Sequence, residues 1–365
     1  MTAQISAIFL LAIAAAHVIW LLPERRAFDG MALFTVAVIG WQSPETLAWL
    51  LAASILTWAV LARAQAGSSQ NWAAGLLAVL LLGGFVAAQF TNGLLWIGAS
   101  YFTLRLLHVV GDWWTRTLSP PSLLELLRYQ LFLPVMVVGP IHRYQTFARQ
   151  VARRRWEAQA YWTGLERCLI GFFMAHVLGS YAMNIVEVRT AGLFAYPDRF
   201  AVVWLLSALA WIKLYFIFAG LSEIALGASR IAGLQLEENF NKPWRASSLL
   251  DFWNRWHMSL TNWSRDYAYR PVMAISRSPI LGVVAAMLVI GLWHAISFYY
   301  LLWAFWQAGG ILLSRWLGAR LPTLAMPRPI AAILVATGIL GWLSLARPVI
   351  TIVLGIDYDT DAAHP

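Results

Sequence analysis

Apolar runs about as long as a bilayer crossing recur along this chain. The first four cover residues 4–22, 46–62, 72–90 and 94–110, close to the ~20 residues with which a helix crosses the hydrocarbon core. Lipid offers backbone polar groups no water partner, so segments of this kind fold as helices. The pattern predicts an all-α, polytopic membrane protein with about ten transmembrane helices.

Composition narrows the class further. Of the 365 residues, 60% are hydrophobic and only 12% are charged, about half the ~25% of soluble domains. These values exclude a soluble globular enzyme, a disordered protein and a coiled coil. The net charge of +9 fits topology signals and anionic lipid, and we expect no nucleic-acid partner. The single cysteine, Cys168, is expected to be a small buried hydrophobe.

The rest of the chain also predicts helices. A short apolar piece, 31–40, is interpreted as re-entrant or interfacial, and the final run, 330–356, is expected to break at Arg347 and Pro348. The sequence has no apparent internal repeat, which disfavours a secondary transporter. Further spans are predicted at residues 160–188, 200–220, 279–293 and 298–313.

Ionisable groups interrupt one apolar run. Arg105 and His108 lie three residues apart on one helical face, and Asp112 follows one turn later. Ionisable groups inside a span are costly, so they face a partner or a wet cavity. Two interpretations stay open here, an ion-pair lock between helices and a functional site.

Segment 131–144 is a second irregular feature, with Pro134, Gly139 and Pro140 inside an apolar run. Broken backbone at membrane depth is tolerated only inside protein or along a cavity. A basic run follows, and the positive-inside rule assigns it to the cytoplasm. We interpret it as a topology signal that touches lipid headgroups, in preference to a dock for a carrier protein. Its members are Arg143, Arg149, Arg153, Arg154 and Arg155.

Residues 237–271 combine many aromatic side chains with Arg, Asp, Asn and His. The segment is too polar to span a bilayer and too aromatic for a free loop, and amphipathic aromatics favour the membrane interface. One or two helices at the cytoplasmic surface are expected. Asp251 and Arg255 have the i,i+4 spacing of a helical ion pair, and Arg265 and Asp266 are expected in a similar network.

Two histidines are candidates for chemistry. His294 ends an apolar span, and His257 lies in the aromatic segment. The two are far apart in sequence, and no HxxxH or HExxH pattern occurs, so we expect no metal site. A histidine buried in an apolar span stays neutral, which suits a general base. The alternative for His294, a core histidine bonded to a helix carbonyl, stays open on these grounds.

Several motifs resemble those of the membrane-bound O-acyltransferases, most closely the bacterial branch that modifies cell-envelope polysaccharides. The resemblance covers residues 95–315, and the motifs are specific as a set although each alone is modest. They are ENFNKP (238–243), FWNRWHMSL (252–260), RDYAY (265–269) and GLWHA (291–295), together with FAGLSEIALG (218–227) and GPIHRY (139–144).

The resemblance implies a fold in which transmembrane and re-entrant or interfacial helices surround a central tunnel. We expect one membrane domain, 1–365. Within it, 1–94 form N-terminal transmembrane helices, 95–315 form the acyltransferase core with the motifs, and 316–365 form a C-terminal helix and tail. The expected location is the inner (cytoplasmic) membrane, with many passes through the lipid bilayer.

The resemblance also implies an activity. Members of the family transfer an acyl group from a cytoplasmic thioester donor to a hydroxyl on the far side of the membrane. His294 is then the catalytic general base, and His257 is the second catalytic histidine. Residues expected to bind the donor or substrate are Asn241, Asn254, Arg255, Trp256, Arg265, Asp266 and Trp293.

No bound cofactor is implied by the resemblance. The expected donor is acetyl-CoA or the phosphopantetheine thioester of an acyl carrier protein. The expected acceptor is an extracytoplasmic polysaccharide, reached directly or through a periplasmic acyltransferase partner. Acetyl transfer is favoured, with D-alanyl transfer as the alternative. A transporter or flippase, and a non-catalytic subunit of an acylation complex, are further alternatives.

Two positions depart from the family pattern. Glu223 stands where the acetyltransferases usually have Asp, and Ala295 follows His294 where Gly is usual. A methyl group beside the histidine narrows the space there, which argues weakly against long acyl chains.

Overall fold

Helices are the regular elements of this protein throughout the part that a computed structural model describes, residues 2–64, 71–90, 98–192, 199–320 and 327–356. The predicted all-α class is confirmed, and the predicted tail beyond residue 356 lies outside the described residues. The first eight helices are α1 (Thr2–Val18), α2 (Glu24–Gln42), α3 (Pro44–Arg63), α4 (Asn71–Phe90), α5 (Ala99–Trp114), α6 (Leu123–Gln130), α7 (Tyr144–Ala152) and α8 (Ala158–Phe172).

Eight more helices follow along the described chain. They are α9 (Met183–Gly192), α10 (Arg199–Ile231), α11 (Leu249–Trp253), α12 (Met258–Ser264), α13 (Arg270–Ser276), α14 (Pro279–His294), α15 (Phe298–Gly318) and α16 (Arg328–Pro348). A π-helical segment, Phe173–Ala182, joins α8 to α9, and a π-helical turn, Arg265–Tyr269, joins α12 to α13. Helix α10 extends well past residue 220, where the sequence analysis ended that span.

Several helices have the length and composition of membrane spans. Four segments of the described chain qualify, at Pro44–Arg63, Ala158–Gly192, Phe200–Ile231 and Pro329–Val353. Shorter apolar helices cover Gln4–Val18, Trp72–Ala87 and Pro279–His294. The predicted polytopic membrane protein is confirmed. The described residues contain fewer full-length spans than the predicted ten, because several apolar runs form helices too short to cross alone.

The short apolar piece expected at 31–40 is part of a complete helix. Helix α2 runs on to Gln42, and Ser43 then separates it from α3. The Ser43 N–H donates to the Ile39 carbonyl at 2.7 Å, and the Ser43 hydroxyl accepts a hydrogen bond from the Thr46 N–H at 3.3 Å. One serine thus closes one helix and caps the next, which the apolar pattern did not reveal.

The final apolar run is continuous, and the expected break at Arg347 and Pro348 is wrong. The helix passes through Pro348, the last residue of α16, into a π-helical turn, Val349–Val353. Proline lacks the amide hydrogen for an i→i−4 bond, and the π-helical turn is the local adjustment to that loss.

The chain packs into two compact units. Unit 1 comprises Met1–Gly171 and Leu221–Glu237, and unit 2 comprises Phe172–Gly220 and Glu238–Pro365. Two of the three boundaries fall within helical segments, so the chain passes between the units there without leaving a helix. The domain limits predicted from the motifs remain a prediction of the sequence.

Helices α8 and α10 contact each other within unit 1. Cys168 is buried there, as expected, with its thiol 3.7 Å from the Ile224 carbonyl oxygen. A Cβ on Gly227 would lie 2.6 Å from the Cys168 sulfur, so glycine allows the close approach. Glu223 accepts two hydrogen bonds from Arg167, at 2.7 and 2.9 Å. The departure noted at Glu223 therefore belongs to an ion pair between helices.

The polar groups of α5 are enclosed in unit 1. Arg105 and His108 have no accessible surface. His108 Nε2 accepts a hydrogen bond from the Tyr144 N–H at 3.1 Å and lies 3.0 Å from Tyr129 Oη. The Tyr129 hydroxyl donates to the His142 carbonyl at 2.6 Å. These contacts form a structural lock of hydrogen bonds between α5 and the irregular segment after α6. It differs from the ion pair between helices that the sequence suggested, because the salt bridge from His108 to Asp112 lies within α5.

Candidate active site

His294 stands at a helix hairpin in unit 2. It is the last residue of α14, and α15 begins behind Ser297, whose hydroxyl accepts a hydrogen bond from the Tyr300 N–H at 3.2 Å. The two helices approach closely at Gly291, where an added Cβ would lie 2.7 Å from the Tyr300 carbonyl oxygen. Glycine at this position lets α15 lie against the last turn of α14, which carries His294.

Aromatic rings surround the His294 side chain. Its imidazole stacks on Tyr300, with ring centroids 5.4 Å apart and 16° between the ring planes. It meets Trp293 and Trp303 edge to face, at 4.9 and 5.9 Å between centroids. His294 nevertheless remains an exposed residue. The imidazole is therefore held by rings on several sides while a small molecule can still reach it.

His257 reaches the same place from a different element. It precedes α12 with φ 43° and ψ 52°, in the left-handed region that few non-glycine residues adopt. It is only 3% exposed. Its ring packs on those of Phe218 and Trp293, with ring centroids 4.6 and 5.3 Å apart. Trp293 therefore contacts both histidines. Burial lowers the pKa of His257 well below its ordinary value, and a positive charge on His294 would lower it further, so His257 is neutral at pH 7.

Contacts between two motifs hold His257 in place. Asn239 of ENFNKP has no accessible surface, and its side-chain oxygen accepts a hydrogen bond from the Ser259 hydroxyl at 2.7 Å. The Asn241 N–H donates to the Arg255 carbonyl at 3.0 Å. ENFNKP thus braces the backbone on both sides of His257, which fixes the unusual turn that carries the imidazole.

Arg255 is engaged by neighbouring residues of its own segment. Its Nε donates to an Asp251 oxygen at 2.9 Å, which confirms the i,i+4 ion pair. Asp251 also accepts a hydrogen bond from the Ser247 N–H at 2.9 Å. Partial burial alone would raise the pKa of the Asp251 carboxyl, but hydrogen bonds from Ser247 and Arg255 outweigh it and hold that pKa below its usual range.

Trp256 lines a cavity that is distinct from the surroundings of His294. It stacks on Phe252 at 5.4 Å, and both rings line an apolar cavity of about 520 Å³ together with residues of α10 and α16. Trp256 also contacts Phe240 at 5.1 Å, and Phe240 contacts Phe218 at the same distance. Because Phe218 packs on His257, a continuous series of ring contacts links the wall of this cavity to the buried histidine.

Asn254 and Arg265 line a separate cavity of about 160 Å³ within unit 2. Asp266 lies 3.4 Å from Arg265 and 3.0 Å from Arg270, which is the ionic network expected for Arg265 and Asp266. The structure thus divides the predicted binding residues. Trp293 lies between the histidines, whereas Asn254 and Arg265 share another cavity.

Three rings complete the site without having been singled out from the sequence. Tyr300 and Trp303 surround His294, and Phe218 packs on His257. Tyr300 and Trp303 lie in the run FYYLLWAFW, which begins directly after the turn that follows His294. Assuming a helix hairpin at this turn would have identified both from the sequence. Phe218 begins the FAGLSEIALG motif, but the motif gave no sign of its contact with His257, because that contact joins distant parts of the sequence.

The arrangement suits proton transfer by neutral imidazole. An accessible histidine lies beside a buried one, and the same indole contacts both. Among the described residues, no group of three or more His, Cys, Asp or Glu is placed to hold a metal ion.

The chain is similar to proteins named as D-alanyltransferases and to proteins named as O-acetylases. Teichoic acid D-alanyltransferase of Bacillus subtilis (strain 168) is 29% identical over 235 residues, which is 60% of this chain and 58% of that protein. Probable alginate O-acetylase AlgI of Pseudomonas aeruginosa is 30% identical over 237 residues, 62% of this chain and 44% of that protein. Teichoic acid D-alanyltransferase of Streptococcus thermophilus is 28% identical over 238 residues, with shares of 60% and 56%. The chain spans about half the length of these relatives.

A family model covers most of the chain. The model of the membrane-bound O-acyltransferase family matches residues 84–346. This range includes both histidines, the Trp293 indole between them and the hairpin of α14 and α15. The matched range also contains all the motifs that resemble this family. The chain belongs to the membrane-bound O-acyltransferase family.

Proposed function

We propose that this protein is a membrane O-acyltransferase that transfers a short acyl group to a hydroxyl of an extracytoplasmic polysaccharide or envelope glycan. The observation that carries the proposal is the accessible His294 imidazole at the end of α14, with Trp293 between it and the buried His257. Membership of the acyltransferase family supports the same reaction class.

In this proposal His294 is the general base. It takes the proton of the acceptor hydroxyl while that oxygen attacks the thioester carbonyl carbon. The new C–O bond forms, the C–S bond breaks, and the proton passes on to the departing thiolate. The carboxyl end of a helix carries partial negative charge, so the position of His294 at the end of α14 stabilises the imidazolium formed on the way.

His257 is proposed to assist from its buried position. As a neutral imidazole it has one N–H to donate to the negative charge that develops on the carbonyl oxygen. Asn254 and Arg265 are proposed to contact the acyl donor, because they line one cavity together. Asn241, Arg255, Trp256 and Asp266 support the surrounding segment through their own contacts and are proposed to act by shaping it.

Acetyl is the proposed acyl group, from acetyl-CoA or an acyl carrier protein in the cytoplasm, with the protein in the inner membrane. Three rings and the methyl group of Ala295 beside His294 favour a small substituent. D-alanyl transfer is the second candidate, because relatives named for either chemistry have nearly equal identity. The acceptor is reached directly or through a periplasmic acyltransferase partner.

The test is mass spectrometry of acyl groups released by base from the envelope polysaccharide. Cells with the native protein are compared with cells carrying His294→Ala at equal membrane abundance. His176→Ala is the matched control, because it removes one histidine from unit 2 outside the site.

Each outcome decides between the candidates. Loss of acetate in His294→Ala, but not in His176→Ala, supports acetyl transfer. Loss of alanine supports the same chemistry with the second donor. Unchanged acetate and alanine in His294→Ala would overturn the proposal and favour a transporter or a non-catalytic subunit.

A further inference from the structure

A cleft of about 370 Å³ lies in unit 1 where three apolar helices end. Trp20 follows the C-terminus of α1, Tyr161 is in the first turn of α8, and Arg230 is in the last turn of α10. None of its lining residues belongs to the candidate active site. The charged and aromatic members of the lining are Trp20, Arg149, Arg153, Arg155, Trp156, Glu157, Tyr161 and Arg230.

The cleft carries an excess of positive charge. Arg155 is paired with Glu157 at 2.7 Å, and that pair is largely exposed. Within the described ranges of the chain, Arg149 bonds to neutral groups of its own helix, at 3.2 and 3.4 Å. Among the described residues, Arg153 and Arg230 have no carboxylate partner. Three guanidinium groups are therefore left for an anionic ligand.

Contacts within the protein hold the walls of the cleft in place without a ligand. The Trp20 indole N–H donates to the Ile231 carbonyl at 2.8 Å. Arg154 lies 3.5 Å above the Trp20 ring and donates to the Ala232 carbonyl at 2.9 Å. The Gln150 side chain both donates to and accepts from the backbone of Gln235, at 2.6 Å each way. A preformed site loses less conformational entropy on binding.

The position of the cleft along its helices indicates which anion it meets. The apolar segments Gln4–Val18, Ala158–Gly192 and Phe200–Ile231 all begin or end at this cleft. Their shared end marks the boundary of the hydrocarbon core, where lipid phosphates lie. Trp156 and Trp162 are exposed here, by 53% and 65%, and indoles at this depth anchor a protein to the headgroup region.

We propose that this cleft binds the phosphate-bearing headgroup of an anionic phospholipid. Guanidinium groups bind phosphate oxygens through paired hydrogen bonds, and basic pockets between membrane helices on the cytoplasmic side bind such headgroups. The positive-inside rule assigns this end of the helices to the cytoplasm. The apolar ends of α1, α8 and α10 then contact the acyl chains of the lipid. A soluble phosphate has no such chains. The inference is independent of acyl transfer.

The test measures lipids that stay bound to the purified, full-length protein in detergent, by native mass spectrometry. The probes are phosphatidylglycerol and phosphatidylcholine, each titrated alone. Arg153→Gln with Arg230→Gln is the test variant. Arg277→Gln with Arg320→Gln is the matched control, because it removes the same charge from exposed positions outside the cleft. Inorganic phosphate and adenosine 3′,5′-bisphosphate are added as soluble competitors.

The native protein and the control are expected to retain phosphatidylglycerol in preference to phosphatidylcholine. The test variant is expected to lose affinity for phosphatidylglycerol by about 30-fold, from the loss of two surface arginines. Equal retention by test variant and control would overturn the proposal. So would displacement of the lipid by inorganic phosphate or by adenosine 3′,5′-bisphosphate at concentrations comparable to the lipid, since the ligand would then be soluble. A thermal midpoint of the test variant near that of the control verifies folding.

Discussion

His108 in unit 1 and His294 in unit 2 both lie among aromatic rings on apolar helices, yet their surroundings differ. His108 has no accessible surface, its Nε2 accepts a backbone hydrogen bond, and its Nδ1 lies 3.4 Å from an Asp112 oxygen. His294 stays exposed, and rings such as Tyr300 determine its orientation. Both nitrogens of His108 are used by the fold, whereas His294 is oriented and still reachable.

This difference shows that apolar surroundings are a poor criterion for a reactive histidine. Similar apolar surroundings enclose both side chains, so hydropathy alone ranks them alike. Accessibility and the use of the ring nitrogens separate them, because a nitrogen that already bonds the backbone is not available to a substrate. Removing His108 should therefore cost stability, and removing His294 should cost activity.

The largest expected effect tests the reactive member of the pair. His294→Ala should lower acyl transfer by about 10²–10⁴-fold, which is the usual contribution of a general base. The thermal midpoint in detergent should stay near that of the native protein, because ring contacts are lost but no buried backbone group is left unpaired. Acyl transfer per folded molecule is the measurement. A large fall in the midpoint with normal activity would reverse the assignment.

The structural member of the pair should respond in the opposite way. His108→Ala removes the acceptor for the buried Tyr144 N–H and opens a cavity. We expect a loss of about 2–4 kcal/mol in the free energy of unfolding. Activity per folded molecule should be unchanged. Unfolding in detergent, combined with an acyl-transfer assay, measures both quantities, and an inactive but stable variant would contradict the prediction.

Tyr129→Phe weakens the same lock by a smaller amount. The substitution removes the hydroxyl that donates to the His142 carbonyl at 2.6 Å, which should cost about 1–2 kcal/mol. Tyr129 and His108 share contacts, so the double variant should lose less than the sum of the two single losses. A double-mutant cycle of unfolding energies measures this coupling. Strict additivity would show that the two side chains do not act as one lock.

The smallest expected effect concerns pH. Burial lowers the pKa of His257, so below about pH 6.5 the unfolded chain binds a proton that the folded protein does not. Stability is then fully present above that pH and is lost as the pH falls. His257→Gln should reduce this acid sensitivity by about 1 kcal/mol between pH 6.5 and 5.5. Thermal midpoints of the two proteins across this range make the comparison, and parallel curves would contradict it.

Much of the fold could be predicted from the sequence, because lipid leaves the backbone few alternatives to helix. The errors occurred where one residue decides a boundary. Ser43 caps α3 and allows α2 its full length, and Pro348 is accommodated by a π-helical turn. Neither effect changes the apolar pattern, so the pattern could not reveal them.

The candidate site was predicted in part. The motifs identified His257 and His294, but only the tertiary structure shows that Trp293 contacts both rings. The left-handed turn at His257 depends on bonds to ENFNKP, a motif many residues earlier in the chain. Side chains that meet through such distant contacts have no periodic signal, which is why Phe218 was not predicted.

The absent side chain at Gly291 has a consequence for engineering. It sets how near α15 comes to α14, and α15 carries two of the rings around His294. Under the proposed function, the size of the acyl group that fits beside the histidine depends on the spacing of two helices, and so on a residue that lines neither cavity described here. Changes of acyl-group preference should therefore be sought at the helix contact as well as on the surfaces that touch substrate.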